Sequence, residues 1–334
     1  MTKRTHPERA EKELIALVEE RFDQARRERL PHEQQWHLNL AFLEGNHYAF
    51  WNRATQRLEA LRLVPHRVRH VSNVILPYWS REVARLGRND PIFNVVQNTN
   101  DDEDVSAARI AEMVLQYLWR TLEMGRKYLE AREWLASLGT VFLQVGWDPR
   151  AGDLIRKPRL EIVTAPVLDD RGNTVGEEMV ERPVLDEAGT PLVDQFHLGE
   201  VSCQVVSPFE VFPAGSRIAD VNQQPWIIKA RVRSLSDIKA DYPDRGDQVS
   251  AEEVAPGVAP GQMLLYQAAF AHSPDTAKGG AAQYAVVKEM MERPTEEFPG
   301  GRLITAANGA LLRYAALPYG RYNLIRIRRT RLPG

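Results

Sequence analysis

The sequence predicts an α+β fold: a helical N-terminal half, an antiparallel sheet carrying a β-ribbon insertion, and a small β-rich region at the end. Three observations carry that expectation. Before Gly139 the apolar residues recur every three or four positions, the spacing of a helix face. The stretch Gly199–Pro213, GEVSCQVVSPFEVFP, alternates instead, with Val201, Cys203 and Val205 on one face and Ser202 and Gln204 on the other, as in a half-buried strand. Late in the chain, Asn308–Gly309 separates two apolar runs, the dipeptide preferred in two-residue hairpins.

Taken in order, Pro7–Arg29 reads as a helix with Leu14, Ile15, Leu17, Val18 and Phe22 in one stripe. Pro31 should end it, since proline lacks the amide proton a helix interior needs. A second helix, about His32 to Leu43, carries Trp36, Leu40 and Leu43, and Gly45–Asn46 closes it. A third covers Leu76–Leu86 and stops before Pro91; Ile92–Val96 is short and β-like. The four acids Asp101, Asp102, Glu103 and Asp104 could be read as a metal site. The macrodipole favours reading them as a solvated helix start, because the long helix Val105–Leu122 follows at once, with Ala108, Ala111, Leu115, Leu118 and Leu122 as its apolar stripe. A further helix, Arg126–Leu138, ends at Gly139.

Thr140–Trp147, TVFLQVGW, is a strand and the expected partner of the one that begins at Gly199. Pro208 must end or bend that partner. Between them the text nearly repeats: Ala165–Gly172 matches Arg182–Gly189, each a strand running into an Asp/Gly turn. Residues 154–200 therefore read as a β-ribbon insertion; their acids fit no calcium-loop spacing. Trp226–Val232 is a strand, after which Ser234 or Ser236 caps a short helix that Pro243 stops. Residues 248–280, rich in Ala, Gly, Pro and Gln, read as a linker or a loosely ordered helical segment. Ala285–Met291, Gly301–Ala306, Ala310–Tyr314 and Tyr322–Thr330 complete the strands. The expected divisions are 1–233, 234–280 and 281–334.

Composition narrows the function. Lys plus Arg number 43 against 45 Asp plus Glu, a net charge of −2. A protein that grips nucleic acid tightly usually has a basic excess, so contact with DNA should be loose or confined to one patch. Cys203 is the only cysteine, which excludes an internal disulfide framework and fits a reducing interior. No run of about eighteen apolar residues predicts a membrane helix, and MTKRTHPERAEKEL has no apolar core of a secretion signal. Phosphate-loop, dinucleotide, HExxH and CxxC motifs are absent. His66 and His70 stand four apart but follow Pro65 and have no third ligand in view. Ser207 lacks the flanking glycines of a nucleophile elbow. No catalytic residue, cofactor or metal is expected.

The one charge cluster that suggests a contact is C-terminal: Arg321, Arg326, Arg328, Arg329 and Arg331. Arg326 and Arg328 share a strand face and Ile325 and Ile327 take the other. Such a row could meet backbone phosphate or an acidic protein partner; it could equally be a solvated sheet face or an intersubunit row of ion pairs.

A set of short strings, in their order along the chain, resembles the portal proteins of tailed bacteriophages. They are Phe42-Leu43-Glu44-Gly45-Asn46-His47-Tyr48 with Trp36 upstream, Val71-Ser72-Asn73, Pro91 followed by the acidic helix start, Gly146-Trp147-Asp148-Pro149, Gly199-Glu200-Val201, and Val206-Ser207-Pro208-Phe209-Glu210-Val211-Phe212-Pro213. Val286–Pro294 with the Asn308–Gly309 hairpin continues the series. The resemblance implies a dodecameric ring at one capsid vertex of the virion, assembled in the host cytoplasm, with a channel for double-stranded DNA and no catalysis of its own. It implies a wing before about Arg233, a stem-leading segment to about Gly280, and a clip that meets the terminase and head-completion proteins, with capsid and scaffold proteins as further partners. Family members continue with a second stem helix, a tunnel loop and further helices, so the chain reads as truncated after the clip. Two alternatives stay open: a metal-dependent nuclease using Asp101–Asp104, and a monomeric nucleic-acid or protein adaptor using the arginine row.

Overall fold

The structure is a computed structural model, and it describes residues 7–55, 57–61, 68, 70–88, 93–168, 174–185, 191–215, 218, 220–252 and 284–329. The α+β expectation holds: helices fill the N-terminal half and the described sheets whose register is defined are antiparallel. The chain divides into two compact units, residues 1–145 with 203–334, and residues 146–202.

In the larger unit the first helix, α1 (Pro7–Leu43), corrects an expectation: it runs unbroken through Pro31. An interior proline costs a helix about 3 kcal/mol. Here both flanks of the proline are held by burial. Val18, Phe22 and Ala25 pack into the core before it, and Arg29, Glu33 and His37 are buried around it. A small hairpin, β1 (Ala49–Asn52) with β2 (Arg57–Ala60), follows. Asn73 then starts α2 (Ile75–Leu86): its side-chain oxygen accepts from the amides of Ile75 and Leu76, and its amide donates to the Leu43 carbonyl. Phe93–Val96, expected to be β-like, is irregular. The acidic run opens α3 (Asp102–Thr121), as the macrodipole argument requires, and Asp104 also accepts from the Thr99 amide and hydroxyl. α4 (Met124–Leu138) ends at Gly139, whose φ of 76° is left-handed.

Two sheets, together with α1 and one short later helix, make the core. β3 (Thr140–Asp148) lies between β8 (Glu200–Val206) and the last strand, β14 (Leu324–Arg328). The pairing of 140–147 with the strand after Gly199 is as expected, and Ser207 caps a turn at Pro208–Glu210 that ends β8. A second, five-stranded sheet has the order β13-β12-β11-β10-β9, built from β9 (Val211–Pro213), β10 (Trp226–Ser234), β11 (Tyr284–Glu292), β12 (Arg302–Ala307) and β13 (Ala310–Ala315). One face of it meets α1: Val18 and Phe22 lie among Phe212, Ile228, Met290 and Ile304. Its other face meets the three-stranded sheet through Ile227, Met291 and Leu303 against Phe142, Val206 and Leu324. Ser234 caps the short α5 (Leu235–Asp241), and Ile238 seals the far end against Val287 and Leu312.

This arrangement differs from the expected division at 233 and 280. The strands after residue 283 do not form a separate β region; they supply three of the five strands of the central sheet and one edge of the other. Local pattern identifies such strands but not their partners, which depend on contacts far apart in sequence. Glu252 pairs with Tyr284; the expected linker beyond Glu252 lies outside the described residues.

The hairpin at Asn308–Gly309 has the predicted geometry, with φ of 38° and 79°, and the Asn308 amide also donates to Ser250. A Cβ on Gly309 would meet nothing within 4 Å. Gly309→Ala should therefore lose about 1–2 kcal/mol, purely from the left-handed backbone, read as a lower denaturant midpoint at unchanged slope.

The smaller unit, residues 146–202, contains the segment 154–200 read as an insertion. β4 (Leu154–Pro158) pairs with β7 (Val193–His197), and β5 (Leu160–Leu168) pairs with β6 (Thr174–Pro183). The two copies of the internal repeat are thus not equivalent: the first ends β5, while the second begins at the end of β6. Gly199 has a φ of 77° and packs so closely on Trp147 that a Cβ would lie 2.5 Å from its Nε1, which accounts for both residues in the sequence strings singled out above.

Candidate functional site

The arginine row is split by the fold. β14 pairs with β3 so that Arg326 stands opposite Phe142 and Arg328 opposite Thr140. The Arg329 amide continues the ladder to the Gly139 carbonyl. Arg326 is partly buried: its Nε donates to the Thr140 hydroxyl at 3.1 Å, and its guanidinium lies 5.7 Å from the Phe142 ring centre. Burial, and then the neighbouring charge of Arg328, lower its pKa. Arg328 is exposed, and Arg329 reaches Glu82 of α2 at 3.8 Å. Arg321 lies apart, in a separate recess with Arg293 and Tyr322. Arg331 lies outside the described residues. Ile325, read as facing away from Arg326, is 54% exposed.

Arg326, Arg328 and Arg329 border a half-open cavity of about 570 Å³, whose other walls come from α1 and from the turn after β8. His32 and Trp36 of α1 line it beside Gly139 and Thr140. Its floor includes Arg29, which is 3% exposed. The Arg29 guanidinium donates to the carbonyls of Pro208, Phe209 and Val211 at 3.1, 3.1 and 2.8 Å and pairs with Glu33 at 3.3 Å. It also rests 3.6 Å from the Phe212 ring centre. Burial lowers the Arg29 pKa to about 10 despite Glu33, and burial raises the Glu33 carboxyl against the pull of Arg29. Among the described residues no carboxylate lines the cavity. Sequence reasoning identified the rim arginines but missed Arg29 and His32, because α1 and β14 line the same cavity from opposite ends of the sequence; no local signal marks them.

A second feature has the opposite character. α3 buries none of its twenty residues. Ile110, Met113, Val114 and Tyr117, spaced i, i+3, i+4 and i+7, form one helical stripe and are 48–58% exposed. The apolar stripe read from the sequence, Ala108 to Leu122, is at best half-buried, and Leu115 is exposed. α2 adds Val74, Ile75, Leu76 and Tyr78 to the exposed apolar surface. This much uncovered apolar area on ordered helices is a feature of association surfaces rather than of monomer exteriors.

Among the described residues no group of three or more His, Cys, Asp or Glu is placed to hold a metal ion, and none of the helices is long and apolar enough to cross a membrane. His66 lies outside the described residues. Cys203 is buried, and burial pushes its thiol pKa up. No protein-family model matches the sequence, and a search of curated proteins finds no match.

Proposed function

We propose that the chain is a structural subunit of a portal-type ring at a phage capsid vertex, forming part of a conduit for double-stranded DNA. The observation that carries this reading is α3: a helix with four apolar side chains in register, each about half exposed, and no described residue burying them. Burying such a face is worth about 25 cal/mol per Å² removed from water, and copies standing side by side would bury it through head-to-tail contacts that close on themselves. The nearly balanced charge supports the same reading, since DNA must slide past a wall that does not grip it. Terminase, head-completion, capsid and scaffold proteins are the partners this reading assigns, and the virion is its location.

The test is the mass and shape of the full chain at micromolar concentration, by sedimentation and negative-stain electron microscopy. Closed rings of many copies are the expected result. A strictly monomeric particle across the concentration range overturns the reading.

A further inference from the structure

The cavity between β14 and α1 joins three properties that ordinary surface arginines lack. Its basic side chains are concentrated: Arg326, Arg328 and Arg329 follow one another along one edge and Arg29 lies in its lining, with the His32 ring on another wall. Among the described residues no acid lines it, and neither Arg326 nor Arg328 has a carboxylate within ion-pair distance. Its walls are partly apolar, from Trp36, Phe142 and Leu138, which strengthens any charge–charge contact made inside. Holding like charges together at a half-buried site is unfavourable unless an anion joins them.

We infer that this recess binds a phosphate group, held by Arg326, Arg328 and Arg329 together with His32. A carboxylate has two oxygens, and one guanidinium fork satisfies both; a phosphate presents more acceptors and up to two charges, which suits several guanidinium groups at once. The recess also bears on the source. Only its rim arginines are well exposed, while Arg326 is drawn in against Phe142. A compact phosphate compound reaches all of them; a duplex backbone reaches the rim. The inference does not depend on the ring reading. A ring that binds no phosphate and a monomer that does would separate the two.

The experiment titrates the full chain with inorganic pyrophosphate, by calorimetry at constant ionic strength, and repeats the titration with a short DNA duplex present. Saturable binding at one site per chain is expected. Arg328→Gln, at an exposed position, should weaken it at least about tenfold, as expected for a charge-assisted contact. Arg321→Gln removes the same charge from the separate recess and should leave it unchanged. Displacement of pyrophosphate by the duplex in the unmodified chain, but not in Arg328→Gln, identifies a nucleic-acid backbone as the source; no displacement identifies a free phosphate compound. Absence of saturable binding, or an equal loss in Arg321→Gln, overturns the inference. So does a chain that ignores pyrophosphate yet loses self-association on Arg328→Gln, since the row would then pair with carboxylates of another protein.

Discussion

Arg29→Ala should destabilise the larger unit by about 3–5 kcal/mol, the range for removing one partner of a buried ion pair. The guanidinium joins α1 to the turn between β8 and β9 by donating to three main-chain carbonyls, and it holds the Glu33 carboxylate. Removing it leaves those carbonyls short of donors and strands Glu33, itself 3% exposed, without its counter-charge. The α1 flank next to Pro31 loses the contact that fastens it to the turn after β8. Urea unfolding of variant and parent measures the difference. A loss below about 1 kcal/mol would mean that the three carbonyls find water as readily as they found Arg29.

The same substitution has a pH signature whose sign follows from Glu33. Burial already holds that carboxyl above its ordinary value of 4.5, while Arg29 pulls it down. Without Arg29 the elevation grows. An acid whose folded pKa lies above its unfolded value binds more protons when folded, so its contribution to stability is greatest below 4.5 and is lost as pH rises through the folded value. The deficit of Arg29→Ala should therefore shrink on acidification from pH 8 toward pH 5. Adding Glu33→Gln should flatten that dependence and recover part of the loss. An identical deficit at both pH values would show that the carboxyl rehydrates once its partner is gone.

Much of the fold was legible because it is local. The alternation at Gly199–Pro213, the helix stop at Gly139, the cap at Ser234 and the Asn308–Gly309 turn each express a backbone preference carried by a few neighbouring residues. What the sequence does not carry in any local window is partnership. β10 reads as a strand on its own, but that it joins β11 across the intervening residues 235–283 could not be inferred from either segment. Pro31 misleads for the same reason: the local cost is real, and the burial of Val18, Phe22, Arg29 and His37 that outweighs it comes from the remote β9–β12 segment. The candidate site divides along this line. Arg326 and Arg328 were visible as neighbours in a strand, whereas Arg29 and His32 enter only when the fold brings α1 and β14 to one cavity. For α3 the apolar periodicity was plain, but whether its stripe lies in a core or between copies stayed open, since periodicity reports that a face must be covered and not what covers it.

That last point gives the second large effect. Ile110→Asp with Val114→Asp places two charges in the centre of the exposed stripe, which no other part of the described chain covers. If α3 is covered by a neighbouring copy, each carboxylate must be desolvated on assembly without a partner, a penalty of several kcal/mol per ion. Association should be lost, with the sedimenting species falling to the monomer. The monomer's own stability should change by no more than about 0.5 kcal/mol, the usual range for surface positions, because neither side chain is buried within the chain. The two readouts separate the causes. Loss of assembly at unchanged melting temperature assigns the α3 stripe to the contact between copies. Loss of both would mean that the stripe is covered from within its own chain, and intact assembly would move the contact to another face, with the α2 residues Ile75, Leu76 and Tyr78 the next to be charged.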